Sequence, residues 1–128
     1  HSSPALLDVA PEAWGDWAGN LFIAEWGDLT PPTDPLRPEL TSGVQVVRVN
    51  PDTRQLEPFV RNVQPQPAHQ QGLDGKALNH PFDVKFGPDG AMYIVDYGAV
   101  EVDPSSSGSP YNPILGTGVI WKVSKIKE

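Results

Sequence analysis

The sequence contains no cysteine, which excludes disulfides and thiolate metal sites and leaves either a reducing or an oxidising compartment open. No apolar run approaches the roughly twenty residues of a membrane span. Nor does any stretch of about a dozen residues sustain a 3.6-residue apolar period, so long amphipathic helices are not expected. Cations are scarce: 9 Lys and Arg stand against 16 Asp and Glu, for a net charge of −7. They are scattered, apart from Lys122, Lys125 and Lys127 at the end. Such a surface repels phosphate backbones, so nucleic acid is not an expected partner. The phosphate-binding Walker loop, Gly-x-Gly-x-x-Gly, His-Glu-x-x-His and Gly-x-Ser-x-Gly are all missing. Ser105-Ser106-Ser107 therefore reads as a flexible loop rather than a nucleophile. The chain opens on His1 rather than methionine and is expected to begin at a processed end, so a missing signal peptide says little.

What is present is punctuation and repetition. The 128 residues suffice for one ordinary domain, and the 38% hydrophobic and 20% charged content is that of a globular chain. Pro (15) and Gly (12) favour many short strands over long helices. Gly19-Asn20-Leu21-Phe22-Ile23-Ala24-Glu25-Trp26-Gly27 matches Gly90-Ala91-Met92-Tyr93-Ile94-Val95-Asp96-Tyr97-Gly98 position by position. Each copy is followed by a long Pro-rich loop and then a second similar strand, Gly43 to Val49 and Gly118 to Val123. A repeat of about seventy residues built from short apolar runs points to propeller blades.

In chain order, strands are expected at Leu6 to Val9, Leu21 to Glu25, Val44 to Val49 and Leu56 to Val60. A turn at Pro11 to Gly19 carries Trp14 and Trp17, and Asn50-Pro51-Asp52-Thr53 is a second turn. The order then repeats with Phe82 to Phe86, the hairpin signal Gly87-Pro88-Asp89-Gly90, Met92 to Asp96 and Val119 to Ser124. The fold class is thus all-β. It comprises about two antiparallel four-stranded blades of a β-propeller, residues 1–62 and 63–128, the last lacking its outer strand. Propellers often complete their last blade with a strand from the N-terminus, so the pair is expected to end a larger ring. Its expected partners are the remainder of its own propeller or other copies of itself, because open edges and faces need cover. An antiparallel meander sends loops 27–43 and 98–117, and the segments around His1 and 61–80, to one face. Long loops gathered on one face of a rigid scaffold usually carry function.

At these residues the chain resembles the C-terminal part of the glucose/sorbosone dehydrogenase family, soluble six-bladed propeller quinoproteins. The matching pieces are His1-Ser2-Ser3-Pro4, Gly19 to Gly27, Gly43 to Val49, Pro81 to Gly98 and Gly118 to Ser124. The resemblance implies oxidation of a sugar or aldose by hydride transfer to pyrroloquinoline quinone (PQQ), with calcium polarising the quinone. It implies a periplasmic or extracellular location, a sugar-like small-molecule substrate, and a histidine base on an earlier blade. The fragment alone is expected to be inactive. His80-Pro81 stands where the family often has Arg-Pro, and Glu25-Trp26-Gly27 where it often has Glu-His-Gly. Losing that Arg removes a charge-assisted contact to an anionic cofactor.

Four residues are candidates for cofactor or substrate binding: His1, His80, Trp26 and Tyr97. The histidines could bind a hydroxyl or move its proton, or could simply be rim residues bonded to loop carbonyls. Trp26 and Tyr97 occupy equivalent positions and could stack on a sugar ring or wedge between blades. Glu25 and Asp96 are also equivalent and could hold calcium. Their presence in both copies favours instead a structural carboxylate accepting backbone N–H groups. Asp28, Asp34, Asp74 and Asp103 lie in loops without calcium-loop spacing. His69, in Gln-Pro-Ala-His-Gln-Gln, reads as exposed, Trp121 as core, and Lys85 and Lys122 as solvent-facing. Two other readings remain: a non-catalytic propeller module binding protein or carbohydrate, and a calcium-dependent lactonase-like propeller.

Overall fold

The computed structural model describes residues 2–28 and 42–126. The architecture is all-β with antiparallel sheets. Strands β1 (Pro4–Val9), β2 (Leu21–Glu25), β3 (Gln45–Val49) and β4 (Leu56–Arg61) form a four-stranded meander in sequence order. Strands β5 (Pro81–Phe86), β6 (Met92–Asp96) and β9 (Val119–Val123) form a three-stranded sheet. Between β6 and β9, β7 (Val100–Val102) and β8 (Tyr111–Pro113) pair as a small hairpin of their own. Loop 98–117, expected to be irregular, is therefore partly ordered as a ribbon. Short 3-10 turns span Glu12–Trp17 and Ala68–Gln71.

Alternation along the second strands builds the core. Phe22 and Ala24 on β2, and Met92 and Ile94 on β6, point inward, as successive strand residues face opposite sides. They meet Val46 of β3 and Val84 of β5, with Ala10 and Trp14 at one end. Phe22, Phe59 and Phe86 gather around Trp14 with ring centroids 4.8–6.0 Å apart, mostly edge to face, which suits the ring quadrupole. Trp121 packs against the margin of this cluster, while Lys85 and Lys122 are exposed, as the sequence indicates.

Polar contacts lock the two sheets together. Asp8 at the end of β1 accepts the Phe86 N–H at 2.9 Å, and Lys85 donates to the Leu7 carbonyl at 3.2 Å. Trp14 donates its indole N–H to the Gly90 carbonyl in the β5–β6 turn at 2.9 Å. In that turn Gly90 takes φ +76°, and Asp89 accepts the Ala91 N–H. Val46 pairs with Val60 and Val47 with Pro58, so Phe59 is the extra residue of a bulge in β4, where Pro58 is tolerated because β4 is an outer strand. The second sheet has no strand beyond β9 among the described residues. Beside that edge lies a groove of about 390 Å³, lined by Val60, Leu78, Ile94, Trp121 and Val123 and fringed by Arg61, Lys76 and Lys122.

Candidate functional site

The segment joining the two sheets is held by a buried carboxylate. Asp96, at the end of β6, is 3% exposed. Its Oδ1 accepts the backbone N–H groups of His80 (2.8 Å) and Gly98 (3.0 Å). Its Oδ2 accepts the Asn79 N–H (2.7 Å) and the Trp121 indole N–H (3.3 Å). The His80 carbonyl in turn accepts the Tyr97 N–H at 2.9 Å. One acid thus fixes the backbone at 79–80, the turn after β6 and a core indole. Glu25, the equivalent acid of the first sheet, accepts from Ser2 Oγ (3.0 Å) and Gln45 Nε2 (2.7 Å). Glu25 and Asp96 are both buried and used by neighbours, and no set of three potential metal-ligating side chains forms among the described residues.

This backbone clamp positions His80, which is 1% exposed. Its ring stacks on Trp26, with centroids 4.5 Å apart and planes 17° apart. Nδ1 lies 3.0 Å from the Trp26 carbonyl oxygen. A carbonyl can only accept, so Nδ1 carries the proton and Nε2 is left with a lone pair. Nε2 is buried and has no hydrogen-bond partner among the described residues. Burial pushes the imidazole below its ordinary value of 6.5, with the neighbouring His69 adding to the effect. The Trp26 carbonyl and the Asp96 charge oppose it. The ring is therefore a neutral acceptor at pH 7.

His80 lines a cavity of about 460 Å³ together with Asp28, His69, Val100, Glu101 and Asp103. The cavity gathers the start of the first long loop, the connection between the sheets and the β7–β8 ribbon on one side of the fold. His69 is partly buried rather than exposed, because Asn79 fixes it. Asn79 Oδ1 accepts both the His69 backbone N–H (2.8 Å) and the Nδ1 side of its ring (2.9 Å). The backbone donor identifies that amide atom as oxygen, so His69 Nδ1 also carries the proton. The centroids of the two imidazoles are 6.0 Å apart.

The structure brings together three sequence candidates. Trp26 stacks on His80, and Tyr97, 46% exposed, meets Trp26 edge to face at 4.8 Å. Trp26 thus has a ring partner within the protein on one face. Asp96 acts from beneath by holding the His80 backbone. Glu25 lies in the other sheet, and His1 and Asp34 lie outside the described residues. The sequence reading missed Asn79 and the role of His69. The available signal was the pair Asn79-His80 ahead of Pro81, a polar doublet at a strand entrance. Comparison with protein-family models, curated proteins and solved structures returned no match.

Proposed function

We propose that this chain contributes two adjacent blades to a β-propeller of the glucose/sorbosone dehydrogenase type, and that its His80 cavity holds a sugar-like, uncharged polyhydroxy substrate. The observation that carries the reading is the neutral His80 ring at the cavity lining, with Nδ1 bonded to the Trp26 carbonyl and a buried Nε2 that has no hydrogen-bond partner among the described residues. Such a nitrogen accepts a hydrogen bond from a hydroxyl. Glu101 and Asp103 in the same wall suit further hydroxyl donors and repel anions.

The cavity does not fit PQQ. A quinone bearing three carboxylates would meet the acids Glu101 and Asp103, and His80 is held uncharged. Nor do Glu25 and Asp96 fit a calcium ion, since neighbouring donors already occupy their oxygens. In this reading the chain serves the substrate, and no step passes through the quinone. The open β9 edge and the apolar groove beside it support the need for further propeller strands or a second copy. His80-Pro81, in place of Arg-Pro, favours a second reading, a propeller that binds carbohydrate without oxidising it.

The test is a titration of the chain with aldoses and, in parallel, with the corresponding sugar acids, followed on the His69 and His80 ring resonances. The reading expects shifts with the neutral sugars and none with the acids. No response to any aldose, or a stronger response to the acids, would overturn it. Dye reduction by the whole protein with PQQ, calcium and an aldose then separates oxidation from binding alone.

A further inference from the structure

We infer that His69 and His80 form a two-imidazole site for a divalent transition-metal ion, with Zn²⁺ as the simplest occupant, on the wall of the same cavity. The inference does not depend on the sugar reading, because it follows from the two rings and their supports alone.

Both histidines carry the support that metal-binding imidazoles usually have. A metal-ligating histidine normally donates its other ring N–H to a fixed oxygen, which sets the tautomer and the ring's orientation. His80 Nδ1 has the Trp26 carbonyl at 3.0 Å, and His69 Nδ1 has Asn79 Oδ1 at 2.9 Å. In each ring the lone pair is thereby assigned to Nε2. His80 Nε2 is buried without a partner among the described residues, an uncommon state for a polar atom. A Lewis acid would satisfy it. His69 is only partly buried, so an ion arriving from solution meets His69 first.

The separation suits a shared ion. With metal–nitrogen bonds of about 2 Å, two imidazole centroids on one ion lie roughly 5 Å apart when tetrahedral and roughly 6.4 Å apart when opposed. The observed 6.0 Å falls within this span, and the partly buried His69 is the ring with room to reorient toward a shared ion. Imidazole donors select zinc, copper or nickel over calcium, which prefers oxygen. Glu101 and Asp103 line the same cavity and give it a field that favours a cation. No third His, Asp or Glu completes a ligand set among the described residues. The remaining coordination positions would go to water or to a ligand, one protein donor fewer than the three usual in an open zinc site.

The experiment titrates the 128-residue chain with zinc sulfate, without sugar, and follows the imidazole nitrogens by long-range ¹H–¹⁵N spectra. The Nε2 resonances of His69 and His80 should move together and saturate at one equivalent, while both Nδ1 resonances keep their protonated signature. His69→Gln and His80→Gln should each weaken zinc binding at least tenfold. Should His80→Gln fail to fold, His69→Gln decides, since its ring lies outside the core. Movement of neither ring, movement of only one, or unchanged affinity in His69→Gln would overturn the inference. A sugar response without a zinc response would leave the substrate reading standing and remove this one.

Discussion

Asp96→Asn is the substitution that separates architecture from chemistry most sharply. The side chain keeps its shape but loses its charge and one of its two acceptor atoms. Asp96 receives four donors, two on each oxygen, and three of them are backbone N–H groups that cannot turn away. Whichever way the amide sits, its NH₂ faces two donors. If it replaces Oδ2, the Asn79 N–H and the longer Trp121 contact are lost. If it replaces Oδ1, the His80 and Gly98 N–H groups are stranded. Bonds to a charged group contribute about 1.5–3 kcal/mol each, and the weaker Trp121 contact less, so the loss should be roughly 2–4 kcal/mol. Against a domain stability of about 5–15 kcal/mol, that is a large fraction. Glu25→Gln is the internal control. Its donors are a hydroxyl and a side-chain amide, both able to reorient, and the loss should stay below about 1 kcal/mol. Urea unfolding followed by tryptophan fluorescence measures both. Equal losses, or less than about 1 kcal/mol for Asp96→Asn, would refute the claim that this acid holds the site together.

Two further outcomes follow from the same geometry. His80 has a lowered pKa in the folded state, so the unfolded chain binds more protons between that value and 6.5. Stability should therefore be full above pH 6.5 and fall as the pH drops through this window, then level off with respect to this group once both states are protonated. In metal-free buffer, His80→Gln should remove that component of the pH profile, and an unchanged profile would contradict it. Gly98→Ala should destabilise by more than about 2 kcal/mol, because φ is +95° and the new Cβ would sit 2.6 Å from the Thr117 carbonyl carbon. Gly72→Ala, also left-handed at φ +66° but with open space around it, should cost only about 1 kcal/mol, as thermal unfolding of the pair would show.

The strands were legible in the sequence because two-residue alternation and Gly/Pro punctuation are local signals. Phe22, Ala24, Met92 and Ile94 face the core as their spacing indicates. The repeated acids turned out unalike: Asp96 accepts three backbone N–H groups, whereas Glu25 accepts only the Ser2 hydroxyl and the Gln45 side-chain amide, so the equivalence in sequence does not mark one shared backbone need. Irregularity was less visible. Val44 was expected to open β3, but it sits at φ +56° and the strand begins at Gln45. The β7–β8 ribbon has only three-residue strands in a Ser- and Pro-rich segment, too short for alternation to register. The site was the least legible part. Trp26 meets His80 across 54 residues of chain, and the pairing depends on how the two sheets dock. His69 lies in a polar stretch that reads as exposed, and only Asn79 Oδ1, bonded to both its backbone and its ring, turns it into the cavity wall.

The most direct measurement is the protonation state of the His80 ring at pH 7, read from long-range ¹H–¹⁵N spectra of the metal-free chain. The account predicts a neutral imidazole with the proton on Nδ1, held there by the Trp26 carbonyl, and a bare Nε2. A proton on Nε2, or an imidazolium at pH 7, would contradict the acceptor on which both the substrate and the metal readings stand.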